Sequence, residues 1–220
     1  MKWATDNNMQ INTEKVKVME VYFGKSVLQQ DNITMQGNKL ESVKKMKVLG
    51  VVINDKLDWS DHVSYITAKA NKRVYFLCLL LRAGIPKLEV LEVYYSLVRS
   101  VLEYAAEVWH GRLTKDQSEK IEHIQNRTVK LIFPDEDHTD ICQKHGIVSL
   151  KDRREERCEK LYKEIQNPGH KLHHLLPNQT NKRTLRETST RKYEFPAKST
   201  NRFLNSPINY SIRTFQKDNR

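Results

Sequence analysis

The chain has 220 residues, 38% of them hydrophobic and 30% charged, and a formal net charge of +11. Such a length holds one medium domain or two small ones, and the low apolar share leaves part of it outside any core. Three cysteines at 78, 142 and 158 exclude a disulfide scaffold, and the longest apolar run, at 74–81, is far short of the ~18 residues of a membrane span. The first ten residues hold no apolar leader core, so a reducing intracellular setting, nuclear or cytoplasmic, is expected.

In chain order, residues 1–15 read as the end of a helix whose start is missing, which suggests a fragment. Residues 16–23, rich in β-branched and aromatic side chains, predict a strand. Residues 33–35 and 40–43 flank Gln36, Gly37, Asn38 and Lys39, a stretch with hairpin-turn chemistry. Residues 47–53 form the most apolar strand candidate, expected to be central or buried. Together they predict a small antiparallel sheet over residues 1–59.

Helical signals begin at Ser60, a candidate N-cap followed by Asp61. Val63, Ile66, Ala70, Val74, Leu77 and Leu81 share one face, Gly84 ends that helix, and Pro86 opens the next. In the second helix Leu91, Tyr94, Val98, Val101, Ala105 and Val108 recur at alternating steps of three and four, and Gly111 ends it. The third has a capping box, Thr114 with Gln117, and Pro134 behind it. Its Ile121, Ile124, Thr128 and Leu131 face inward while Lys120, Glu122, His123, Arg127 and Lys130 point elsewhere. Residues 60–134 are therefore a three-helix unit.

A helical extension follows over 135–177. It holds an acidic loop at 135–137, a short helix stopped by Gly146, a longer helix capped by Ser149 with Asp152, and one more turn near 170–177. Residues 178–220 form a basic tail without periodicity, expected to be largely disordered. With 11 basic residues against 3 acidic ones, residues 165–220 carry +8 of the net charge, which favours a polyanion. A solvated end with no partner fits the same composition. The fold class is α+β.

Few residue sets carry chemistry. Asp135, Glu136 and Asp137 are the densest acidic cluster, but a loop after a proline does not hold carboxylates at the ~3.5–4 Å metal spacing of a two-metal enzyme. His170, His173 and His174 with Cys158, or Cys142 with His145, supply only half of a structural zinc set. Seven glycines build no phosphate loop, and no serine or cysteine sits in a nucleophile elbow. Nucleic-acid binding remains, through Lys69, Lys72, Arg73, Arg99, Arg112, Arg127, Lys130 and the basic tail, although scattered helical Lys and Arg are ordinarily a solvated face.

Several ordered blocks are familiar. Asn12-x-x-Lys15 before a strand, Val48-Leu49-Gly50-Val51 with Leu57-Asp58-Trp59 and His62, LLLRAG at 79–84, YSLVRSVLEYAAEVWH at 95–110 and IEHIQNR at 121–127 resemble the C-terminal part of non-LTR (LINE-type) retrotransposon reverse transcriptases. The similarity continues through LKDRR at 150–154 and NRFLNSP at 201–207.

The resemblance implies that 1–59 is the end of a palm, 60–134 a thumb, and the chain part of an RNA-directed DNA polymerase. Lys15 matches a lysine facing the incoming nucleotide's phosphates, although Val16 stands where the family has Thr. Leu49, Gly50 and Val51 match the turn that supports the primer end. The family's catalytic aspartates lie upstream of the matching region, and no Asp-Asp occurs in this sequence. The resemblance thus implies no catalytic residue, metal or cofactor here, with Mg2+ belonging to the intact enzyme. It further implies an RNA/DNA template-primer duplex and the upstream palm and fingers as partners, with no membrane. A helical protein-interaction module and an inert relic of a decayed element are the competing readings.

Overall fold

The computed structural model describes residues 2–23, 33–179, 193, 195–196 and 199–216. It is mixed α+β, with two-stranded ladders towards the N-terminus and a mainly helical remainder, and it divides into two units, Met1–His62 and Val63–Arg220. Among the described residues no helix is long and apolar enough to cross a membrane.

The first unit holds helix α1 (Lys2–Asp6), a 3-10 turn (Thr13–Lys15) and strands β1 (Lys17–Val18), β2 (Thr34–Met35), β3 (Asn38–Lys39), β4 (Glu41–Ser42), β5 (Lys45–Val48) and β6 (Val51–Asn54). Instead of one antiparallel sheet, the described residues form three separate ladders, and β1 pairs with β4 in parallel. The strand expected at 16–23 shrinks to two residues. The apolar stretch 47–53 is not one buried strand. It folds back on itself, because Val48 pairs with Val51 and leaves Leu49 and Gly50 as a two-residue loop. Both loop residues have positive φ, +47° and +89°, as a type I′ hairpin turn requires. Gln36 and Gly37 turn the β2–β3 hairpin in the same way.

A polar knot closes this unit. Buried Asn54 donates to Asp58 at 3.1 Å and Asp61 at 3.0 Å, Lys45 reaches Asp61 at 2.8 Å, and the Val52 amide donates to His62 Nδ1 at 3.3 Å. The expected cap moves. Ser60 is the first residue of helix α2 (Ser60–Arg82), and its amide donates to the Asp58 carboxylate at 3.0 Å, so Asp58 satisfies the open helix end.

In the second unit the face of α2 is as expected, with Val63, Ile66, Ala70, Val74 and Leu77 buried. The next helix is not continuous. Helix α3 (Lys87–Val93) passes into a π-helical turn (Tyr94–Arg99), then α4 (Ser100–Leu102), and after a break α5 (Ala106–Trp109) and a 3-10 turn (His110–Arg112). The fully buried residues here are Val90, Tyr94, Val98, Leu102 and Ala106, five at steps of four, and then Trp109, three residues further on. In a regular α-helix each such step drifts about 40° round the axis, so the five would not share a face. The wider π turn and the break, where Ala105 takes a left-handed φ of +50°, absorb the drift. Val108, expected inside, is consequently exposed, and Trp109 is buried. The π turn frees carbonyls from the usual ladder. Ser96 donates to Val93 O, Ser100 to Ser96 O, and the Arg73 guanidinium to Leu97 O.

Helix α6 (Lys115–Ile132) starts with the expected capping box. Asp137 caps α7 (His138–Lys144), and Ser149 caps α8 (Leu150–Ile165). Glu122, expected to face solvent, accepts the first amides of α8, from Leu150 at 3.1 Å and Lys151 at 3.3 Å. Gln125 extends this staple inward, donating to Glu122 and Val148 O and accepting from the buried Tyr94 hydroxyl at 2.8 Å. Arginines on α8 then clamp the broken helix. Arg153 binds Glu103 through two nitrogens, Arg157 binds Glu107 at 2.9 Å, and fully buried Arg154 donates to His110 Nδ1 at 3.3 Å and Ser118 Oγ at 3.0 Å.

The tail is not featureless. Beyond a 3-10 turn (His173–Leu175), α9 (Asn201–Leu204) and α10 (Pro207–Phe215) form where no periodicity was expected. Ile208, Ile212 and Phe215 do lie at helical steps, but the pattern is short and diluted by Asn, Ser, Arg and Thr. Ile212 and Tyr193 pack with Tyr162 and Ile165 of α8 in a second apolar cluster. The tail's Lys182, Arg183, Arg186, Arg191, Lys192, Lys198, Lys217 and Arg220 lie outside the described residues. The Tyr210 ring lies over Gly111, where an added β-carbon would sit 2.5 Å from Tyr210 Cγ.

Gly111→Ala should therefore cost about 1–3 kcal/mol by forcing α10 off the bundle. A urea midpoint equal to wild type would show that the contact is slack. Burial, with Arg154 and Lys151 nearby, pushes His110 from 6.5 down to about 4. At neutral pH its 3.8 Å approach to Glu155 is therefore not an ion pair. Because the folded value lies below the unfolded one, the neutral ring's contribution is complete above pH 6.5. It is lost as pH falls towards 4, at up to roughly 1.4 kcal/mol per pH unit. His62, pushed to about 4 by burial, acts in the same direction. Urea midpoints should fall between pH 6.5 and 4.5, and less steeply in His110→Gln; a rise over that window would contradict a neutral His110.

Candidate nucleic-acid interface

The candidate residues fall in both units. In the first, Lys15 is exposed at the end of the 3-10 turn, whose entry is fixed by the Asn12 side chain accepting from the Glu14 amide at 3.0 Å. Leu49, Gly50 and Val51 make the tip of the β5–β6 hairpin. Val51 is buried and faces the core, while Leu49 is 88% exposed. Leu49 is doubly unfavourable where it stands. A left-handed backbone costs a residue with a β-carbon about 1–2 kcal/mol, and the exposed side chain gains nothing from water. Strain of this kind, on an exposed apolar tip, marks a candidate contact point.

In the second unit the structure separates the seven basic candidates by what holds them. Lys69 and Lys72 are exposed on α2, and Lys130 is exposed on α6. Arg127 is exposed too, and its Nη2 donates to Asn71 Oδ1 at 2.6 Å, which brings it beside the residue preceding Lys72. Arg73 is occupied with the Leu97 carbonyl and Arg99 lies over the Tyr95 ring at 3.9 Å. Arg112 is half-buried in the 3-10 turn. Lys69, Lys72, Arg127 and Lys130 thus offer their charges outward, on two helices tied by the Arg127–Asn71 bond. From His62 to Leu88 the sequence contains no Asp or Glu, so nothing on that stretch of α2 neutralises the lysines.

Tyr75 and Phe76 escaped the sequence reading. They belong to the apolar run 74–81, from which only Val74, Leu77 and Leu81 are expected on the inner face, and they are 62% and 47% exposed. The signal was present in the spacing. Val74 and Leu77 occupy the inner face at helical steps, which turns Tyr75, Phe76 and Leu79 outward.

The acidic loop and the histidines have local duties. Asp137 accepts from the Thr139 amide at 2.8 Å, and Glu136 pairs with Lys144 at 3.5 Å. His173 meets Ile165 O at 2.8 Å, and His174 meets Lys171 O at 2.9 Å. Among the described residues no group of three or more His, Cys, Asp or Glu could hold a metal ion. The described residues do not fit the Mg2+ that the resemblance implies for an intact enzyme.

Comparison with protein-family models, with curated proteins and with solved structures finds no match to this chain.

Leu49→Asn should stabilise the hairpin by about 1 kcal/mol, because Asn-Gly adopts the same turn with less strain. An unchanged or lower thermal midpoint would mean that Leu49 is held by contacts that outweigh its backbone cost.

Proposed function

We propose that this chain forms the end of the palm and the thumb of a non-LTR reverse transcriptase, and that it grips a template-primer duplex without polymerising. The observation that carries this reading is the β5–β6 hairpin. Its tip falls on Leu49 and Gly50, the residues matched to the primer-supporting turn, and it presents an exposed side chain at a strained position. Helix α2 follows directly, with exposed Lys69 and Lys72 and no carboxylate from His62 to Leu88. Contacts of this kind go to phosphates, so they position a duplex without reading its sequence. Lys15, exposed beside β1, has the reach for a nucleotide phosphate in this reading. Phosphoryl transfer needs metal ions held by carboxylates, and those belong to the upstream palm. The three free cysteines suit a reducing, intracellular setting.

Binding of a labelled RNA–DNA duplex to the 220-residue chain, titrated with salt, tests the reading. If four to six phosphates are neutralised, log K should fall against log salt with a slope of about −3.6 to −5.4. Lys69→Ala and Lys72→Ala should each make the slope shallower by roughly 0.9. Absence of binding at low salt, or a slope near zero, would overturn the nucleic-acid role and favour a protein-interaction module. Incorporation of labelled nucleotide by this chain alone would overturn the non-catalytic part.

A further inference from the structure

We propose that the outer face of α2 stacks unpaired nucleobases, so that the chain holds single-stranded nucleic acid more tightly than its phosphate contacts alone allow. This rests on the reading of the chain as a nucleic-acid binder. The face is a mixed stripe. Lys69, Lys72, Phe76 and Leu79 follow at steps of three and four, and Tyr75 lies one step of three from Lys72, so all point away from the buried face. The lysines occupy the N-terminal half and the aromatic rings the C-terminal half. Lys69 to Phe76 spans about 10 Å of helix, close to three nucleotides of a stacked strand at roughly 3.4 Å each.

The chemistry of the stripe selects its occupant. Tyr75 and Phe76 are 62% and 47% exposed on a long helix, and rings so placed can stack on a base face where that base is unpaired or ends a duplex. Inside a duplex the base faces are already covered by their neighbours. A protein partner would suit an apolar patch alone, but here the rings adjoin lysines on a stretch without a carboxylate, and Arg127 adds a cation beside Asn71 on the other shoulder. That combination complements a polyanion that carries flat apolar faces. The lysines take the phosphates while the rings take the bases, as in sequence-tolerant single-strand binders.

Fluorescence anisotropy with the full chain decides the matter, using a labelled oligothymidylate of about 15 nucleotides and a blunt duplex of the same length. Tyr75→Ala and Phe76→Ala should each weaken single-strand binding by about tenfold and change duplex binding by less than about twofold. Tyr75→Phe, which keeps the ring, should behave as wild type, and Lys72→Ala should weaken both ligands. Both rings are exposed, so the alanine variants should keep the wild-type melting temperature. Aromatic variants that leave single-strand binding unchanged, or that weaken both ligands alike, overturn the stacking face. If Lys69→Ala and Lys72→Ala still weaken duplex binding in that case, the duplex grip survives without it. If the wild-type chain binds neither ligand, both readings fall.

Discussion

The second unit depends on a buried guanidinium. Arg154 is fully enclosed, with no carboxylate among the described residues bonded to it, and burial lowers its pKa from the ordinary arginine value. Taking such a group out of water is costly, and one nitrogen, Nη1, has no hydrogen-bond partner among the described residues. What offsets the cost is local: bonds to His110 and Ser118, the Trp109 ring 5.8 Å away, and the fields of Glu122 and Glu103. Those partners come from the end of α4, from α5 and its 3-10 turn, and from α6. A single side chain therefore ties α8 to two other parts of the bundle, and Arg153 and Arg157, on either side of it in sequence, fix the register through Glu103 and Glu107.

The clamp changes how the positive charge of the chain should be counted. A net charge of +11 suggests a broadly basic surface, but Arg73, Arg153, Arg154 and Arg157 are engaged in holding the fold. Of the seven helical basic residues considered for binding, the exposed ones are Lys69, Lys72, Arg127 and Lys130. Those four arginines, with planar forks able to bind carboxylates and carbonyls at fixed angles, serve the packing of the bundle.

Elements with strong local signals were legible in the sequence. The capping box of α6, the Ser149 cap of α8, the inner face of α2 and the stop at Gly146 all depend on residues within one or two turns of each other, and all are present. What escaped depends on partners far along the chain or on backbone irregularity. Glu122 reads as a solvent residue until α8 arrives 28 residues later. The period of four across 90–106 looks like an ordinary alternation of three and four unless a π turn is allowed. In the first unit the hairpin turn at Gln36 and Gly37 was legible, but the other ladders were not, because strand order depends on pairing and apolar content alone does not distinguish one buried strand from a hairpin folded at Gly50. At the candidate interface, residue type identified the lysines, and the helical spacing that turns Val74 and Leu77 inward already points Tyr75 and Phe76 outward.

The π turn at Tyr94–Arg99 also sets the direction of the chain that follows it. Relative to an α-helix it takes up one extra residue, and two hydroxyls and one guanidinium satisfy carbonyls around it. Removing one residue from the turn would rotate Val101 and Leu102 by about 100°, out of the core they now fill.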